Sequence, residues 1–215
     1  MNELFPDVFE LFPSKPTPKK YRSFFIKRAA GNLLLPCFSN SSTIEAHFDA
    51  IAQSGGLSKQ LLGDAHFKSA HCDEVAQRFD APLFCSVLEA PEVIHSLKHV
   101  SQFPFEQHDL EPGLQVIPTP GHRDGGVCYL IDVAHKRCLF VGDFIWHDGE
   151  QWITTARKAG KRAYAASLDL LETLEFDVVI CNPIISNPTY YIEVDPDARS
   201  SFIASLRQHL IANSQ

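Results

Sequence analysis

Short β-rich runs alternate with stretches of helical periodicity along this chain, and that alternation restricts the fold to a mixed sheet flanked by helices. Residues 24–27 and 32–35 are short β-rich runs separated by Ala29-Ala30-Gly31, which together read as a hairpin. Ser42 or Thr43 then caps a helix that lines up Ile44, Phe48, Ile51 and Ala52 on one face and ends at Gly55-Gly56. Strands are expected at 58–62 and 83–85, with a helix through 74–78 between them. Residues 114–117, 127–132 and 138–141 follow as a compact antiparallel series. The spacing of Leu168, Leu171 and Leu174 predicts a helix over 163–174, before a near-continuous apolar strand at 177–181. Asp195 as cap and Pro196 at the first helical position open a last helix carrying Phe202, Ile203, Leu206 and Leu210.

A length of 215 residues with 45% hydrophobic content suits one domain spanning 1–215. Its first eighteen residues hold four prolines and several phenylalanines, so 1–18 is read as an extended N-terminal arm rather than a regular element. Phe5, Phe9 and Phe12 on that arm call for burial, on the chain's own core or on a second subunit as a homodimer. A net charge of −7 argues against nucleic-acid or anionic-membrane partners and leaves a small-molecule substrate or ligand. The one basic concentration, Lys15, Lys19, Lys20, Arg22, Lys27 and Arg28, is read as a solvated face. The six cysteines stand singly without CxxC spacing, and neither a signal peptide nor a membrane span is apparent, so a cytoplasmic location is expected.

Two patterns carry chemistry. Thr119-Pro120-Gly121-His122 is a loop tightened by Pro and Gly that holds a histidine, and Leu139-Phe140-Val141-Gly142-Asp143 is a buried strand that delivers a carboxylate at its end. Alone, each also describes an ordinary loop histidine or a turn. Together, with the right strands between them, they resemble the metallo-β-lactamase superfamily over residues 24 to 184. The resemblance implies an α/β four-layer αβ/βα sandwich in which His122 and Asp143 are metal ligands.

The HxHxDH signature of that family should fall on Leu61 to Ser69. Aligned residue by residue, with one position deleted, Asp64 replaces the first His, His66 is retained, Lys68 replaces the Asp and Ser69 the last His. The later ligand loop is occupied by Cys181-Asn182-Pro183-Ile184, and Pro183 cannot coordinate a metal. The site normally built of three histidines therefore keeps Asp64, His66 and His122, whereas its neighbour keeps only Asp143. Two histidines and a carboxylate can hold one Zn²⁺ or Fe²⁺ with positions left for water, so one ion or none is expected, the metal-free state being preferred. His71 is near enough in sequence to substitute for His66 but is read as a helix-surface residue. His47, His95, His99, His108, His135, His147 and His209 match no ligand pattern.

Two functions follow. In the first, the chain is a hydrolase of a small ester, thioester or lactone: Asp64, His66 and His122 hold the metal, Asp143 orients the attacking water, and Lys68 steadies the oxyanion. In the second it is a non-catalytic, metal-free relative that binds a small molecule or serves a structural role, with Lys68 neutralising Asp143. All four candidate ligands are expected at one edge of the sandwich.

Overall fold

The computed structural model describes residues 1–39, 42–182 and 184–213. The chain divides into two compact units: Met1–Pro104 with Asn182–Ser186, and Phe105–Cys181 with Asn187–Gln215. Each unit contains one large sheet and its helices, a mixed α/β organisation.

The first unit is built on a seven-stranded sheet whose strands lie in chain order. Strands β1 (Asn2–Phe5), β2 (Val8–Leu11), β3 (Ser23–Ile26) and β4 (Leu33–Leu35) run antiparallel. Beyond them come α1 (Phe48–Gln53), β5 (Lys59–Leu61), α2 (His71–Phe79), β6 (Leu83–Ser86), α3 (Ala90–Ile94) and β7 (Val100–Phe103). Strands β4 to β7 are parallel, since each connection contains a helix that carries the chain back over the sheet. The core gathers Phe25, Leu34, Ile51, Val75, Leu83 and Val93.

Three expectations for this unit change. The start of the chain is a β-hairpin, not an irregular arm: Asp7 takes φ +67° beside Pro6, so the proline marks the turn, and the remaining three prolines of 1–18 fall after β2. The basic run is not uniformly solvated. Arg22 is buried, with Nη1 on Glu10 Oε1 at 3.1 Å and Nη2 donating to the Ile185 carbonyl at 3.0 Å. Finally, neither Ser42 nor Thr43 caps α1, which begins after a 3-10 turn at Glu45–His47. Its end is as expected, with Gly55 and Gly56 at φ +98° and +75°.

The second unit carries β8 (His108–Glu111), β9 (Leu114–Pro118), β10 (Val127–Val133), β11 (Lys136–Gly142), a separate ribbon of β12 (Ile145–His147) and β13 (Trp152–Thr154), then α4 (Lys161–Glu172), β14 (Val178–Cys181), β15 (Tyr191–Glu193) and α5 (Pro196–Ala212). The expected antiparallel series is present: Tyr129 of β10 pairs with Val116 on one side and Phe140 on the other. Strand β14 joins β11 in parallel because α4 makes the crossover. Asp195 caps α5 as anticipated, its Oδ1 accepting from the Ala198 amide at 2.8 Å. Arg207 of α5 reaches Asp169 and Glu172 of α4, each at 2.7 Å.

All six cysteines are buried and free, and burial raises the thiols of Cys72, Cys128, Cys138 and Cys181 to about 12. They act as small apolar side chains, Cys85, Cys128, Cys138 and Cys181 within strands and Cys72 within α2. Among the described residues, no helix is long and apolar enough to cross a membrane.

Candidate metal centre

In the second unit, His122 and Asp143 come together although twenty residues separate them in sequence, with ligand atoms within 4.8 Å of each other. The local sequence explains both placements. Gly121 has φ +126° and sits so close to α4 that a Cβ there would lie 2.6 Å from Tyr164 Cβ, so only glycine lets the loop lie flat on the helix. The loop is pinned further by Ser167 Oγ donating to the Pro120 carbonyl at 2.9 Å and by the Arg157 amide donating to the Gly121 carbonyl at 3.0 Å. On the other side, Gly142 takes φ +55° where the register of β11 against β14 shifts, and this turns the chain so that Asp143 leaves the strand end.

His122 is held in one tautomer. Its Nδ1 lies 3.0 Å from the carbonyl oxygen of Thr155, so Nδ1 carries the proton and Nε2 the lone pair. Thr155 Oγ1 in turn donates to the Asp143 carbonyl at 2.6 Å. Tyr164 stacks on Phe144 at 3.9 Å between centroids and donates its hydroxyl to the Phe144 carbonyl, and burial pushes its phenol well above the ordinary range.

In the first unit, Asp64 precedes and His66 lies within the 3-10 turn Ala65–Phe67 that follows β5. Asp64 is buried and caps this turn, Oδ1 accepting from the His66 amide at 2.8 Å and lying 3.3 Å from His66 Nδ1. The His66 ring is exposed. The Ala65 amide is bound by Glu89 Oε2 at 2.8 Å. The Lys68 ammonium donates to Glu92 Oε1 at 2.7 Å and to the Ala65 carbonyl at 3.2 Å. Ser69 Oγ accepts from the His71 amide at 3.2 Å. Pro183, which stands where the family has another ligand loop, lies outside the described residues.

His71 is not a surface residue. It is 3% exposed at the start of α2, with its ring between Phe38 and Phe48. Its Nδ1, Glu74 and Glu45 form a second group of metal-ligand type. The tautomer argues against a metal there. Nε2 accepts the Ile44 amide at 3.0 Å, so the proton must sit on Nδ1, which donates it to Glu74 Oε2 at 2.6 Å. Coordination through Nδ1 would move that proton to Nε2, directly against the Ile44 N–H.

Solved structures similar to this chain share its architecture at low identity. A B3 metallo-β-lactamase described as having an active-site glutamic acid is 13% identical, with a TM-score of 0.67 over 99% of this chain and 90% of that one. The chain has the metallo-β-lactamase fold. A HARLDQ-motif mutant of a metallo-β-lactamase from Cronobacter sakazakii gives 14% identity and a TM-score of 0.66, covering 99% of this chain and 95% of its own. An archaeal metallo-β-lactamase superfamily protein from Sulfolobus tokodaii gives 15% and 0.63, covering 94% and 86%. No family model and no curated protein matches the sequence. The metallo-β-lactamase fold is thus expressed here by a sequence only 13–15% identical to these structures. Sequence reading found His122 and Asp143 but missed Thr155, Tyr164 and Glu89, which belong to no motif and gain their roles only through main-chain contacts.

Proposed function

We propose that the protein is a metal-dependent hydrolase of a small ester, thioester or lactone that works with a single Zn²⁺ or Fe²⁺ ion. The observation that supports this reading is the state of His122: a carbonyl holds its Nδ1–H, as in a metal-ligating imidazole, which leaves the Nε2 lone pair to coordinate an ion together with the Asp143 carboxylate. A histidine retained only for packing has no need of that lock. The donor set, imidazole nitrogen and carboxylate oxygen, fits either ion. His122 and Asp143 of the second unit would hold the ion.

A bound ion of this kind supplies a Lewis acid and a water acidified toward neutral pH. The residues do the rest. Asp143 accepts a hydrogen bond from the attacking water and orients it toward the carbonyl carbon. Asp64 caps the turn that carries His66, and Lys68 ties that turn to α3 through Glu92.

Elemental analysis of protein purified without chelator or affinity-tag metal tests the proposal. Close to one Zn or Fe per chain is expected, lost in His122→Ala and Asp143→Ala, together with hydrolysis of a thioester or lactone panel that follows the metal. Protein that takes up no metal after reconstitution with either ion, and hydrolyses nothing, would overturn it in favour of a metal-free binding role.

A further inference from the structure

We infer that Thr155 is the positioning residue of this centre, a single residue that couples the ring of His122 to the main chain of Asp143 in the second unit. The inference rests on the proposed metal-dependent reading for its purpose, though not for its geometry. Thr155 follows directly on β13 and is anchored from both sides. Ahead of it, the Thr154 amide and hydroxyl lie 3.2 and 2.9 Å from Nδ1 of His209 on α5. Its own amide donates to Tyr164 Oη at 3.4 Å.

From this position Thr155 makes two contacts of opposite polarity. Its carbonyl accepts the His122 Nδ1–H at 3.0 Å, and its hydroxyl lies 2.6 Å from the Asp143 carbonyl and 3.1 Å from that of Phe144. A hydroxyl has one proton. The shorter distance assigns it to Asp143, and the Phe144 carbonyl has its own donor in Tyr164. The main chain of Asp143 and the ring of His122 are therefore referred to the same residue. If the hydroxyl is removed, the Thr155 peptide loses its tie to the end of β11, and the carbonyl that orients His122 is freed with it. Contacts of this kind behind a metal ligand typically change metal affinity by about 10–100-fold when lost.

Thr155→Val keeps the shape and removes the bond, whereas Thr155→Ser keeps the bond. The primary readout needs no metal: nitrogen-15 NMR of the imidazoles in the metal-free protein reports the His122 tautomer and the exchange of its Nδ1 proton. Wild type and Thr155→Ser are expected to show one Nδ1–H tautomer with slow exchange, and Thr155→Val mixed tautomers with fast exchange. Zinc competition against a chelator should then show affinity reduced about 10–100-fold in Thr155→Val and restored in Thr155→Ser. A slow-exchanging single tautomer in Thr155→Val would overturn the inference whatever the zinc result. Wild type that holds the tautomer but takes up no zinc would sink the proposed hydrolase reading and leave the role of Thr155 in place.

Discussion

The Nδ1 of His122 donates to the main-chain oxygen of Thr155 across 3.0 Å, and this bond, rather than the TPGH motif itself, determines which ring nitrogen keeps its lone pair. A motif can place an imidazole, but a fixed acceptor is needed to choose its tautomer. The placement depends equally on what lies beneath the loop.

Gly121→Ala should be the most damaging small change near the centre. The added Cβ meets Tyr164 Cβ at 2.6 Å and its main chain at 2.7 Å, at a φ of +126°. Strain and overlap together should cost roughly 2–4 kcal/mol in denaturant unfolding. Metal uptake should fall as well, since the loop must lift from α4. An unchanged unfolding midpoint would show that the loop does not rest on the helix.

Arg22→Ala should destabilise the first unit strongly. It leaves the Glu10 carboxylate, whose side chain is 4% exposed, without the guanidinium 3.1 Å away. Breaking such a buried pair typically costs about 3–5 kcal/mol, and replacing both partners by apolar residues, as in Glu10→Leu with Arg22→Met, should recover most of the loss. Chemical denaturation of the three variants checks this. A loss under about 1 kcal/mol would class the pair with solvated ones.

Burial lowers the pKa of His47 from its ordinary value of 6.5, against a hydrogen bond from Nε2 to the Phe12 carbonyl at 2.9 Å that opposes the shift. The folded state therefore binds this proton less readily than the unfolded chain. The stability it confers is complete above 6.5 and is lost as pH falls from there toward the folded pKa. Urea unfolding between about pH 5 and 8 should show stability declining on the acid side, with a smaller decline in His47→Gln. An equal slope in the variant would assign the acid loss to other groups.

The group Glu45, His71 and Glu74 should not take zinc. Glu45→Gln with Glu74→Gln is expected to leave the metal content of the protein unchanged, because the His71 proton is committed to Nδ1 by the Ile44 amide on Nε2. His71→Ala should instead cost stability, about 1–3 kcal/mol for the orphaned amide alone, as read by thermal unfolding. Loss of metal in the double variant would mean that the ring can adopt the other tautomer.

Local sequence determined the elements whose signals are local. The pairing of β9, β10 and β11 followed from alternating runs and short turns, and the start of α5 from Asp195 and Pro196, because period and capping are properties of neighbours. Gly121-His122 and Gly142-Asp143 were legible for the same reason: a residue that must take positive φ announces itself. Other features were not legible. The opening hairpin was obscured by prolines that mark its turn and exit, and the burial of Arg22 depends on Glu10 and on the carbonyl of Ile185, far along the chain. The ammonium of Lys68 goes to Glu92, the ring of His71 is enclosed by Phe38 and Phe48, and Thr155 orients His122 with a carbonyl that every residue possesses. Which donor meets which acceptor is decided when distant segments pack, since buried polar groups must find partners wherever the fold places them.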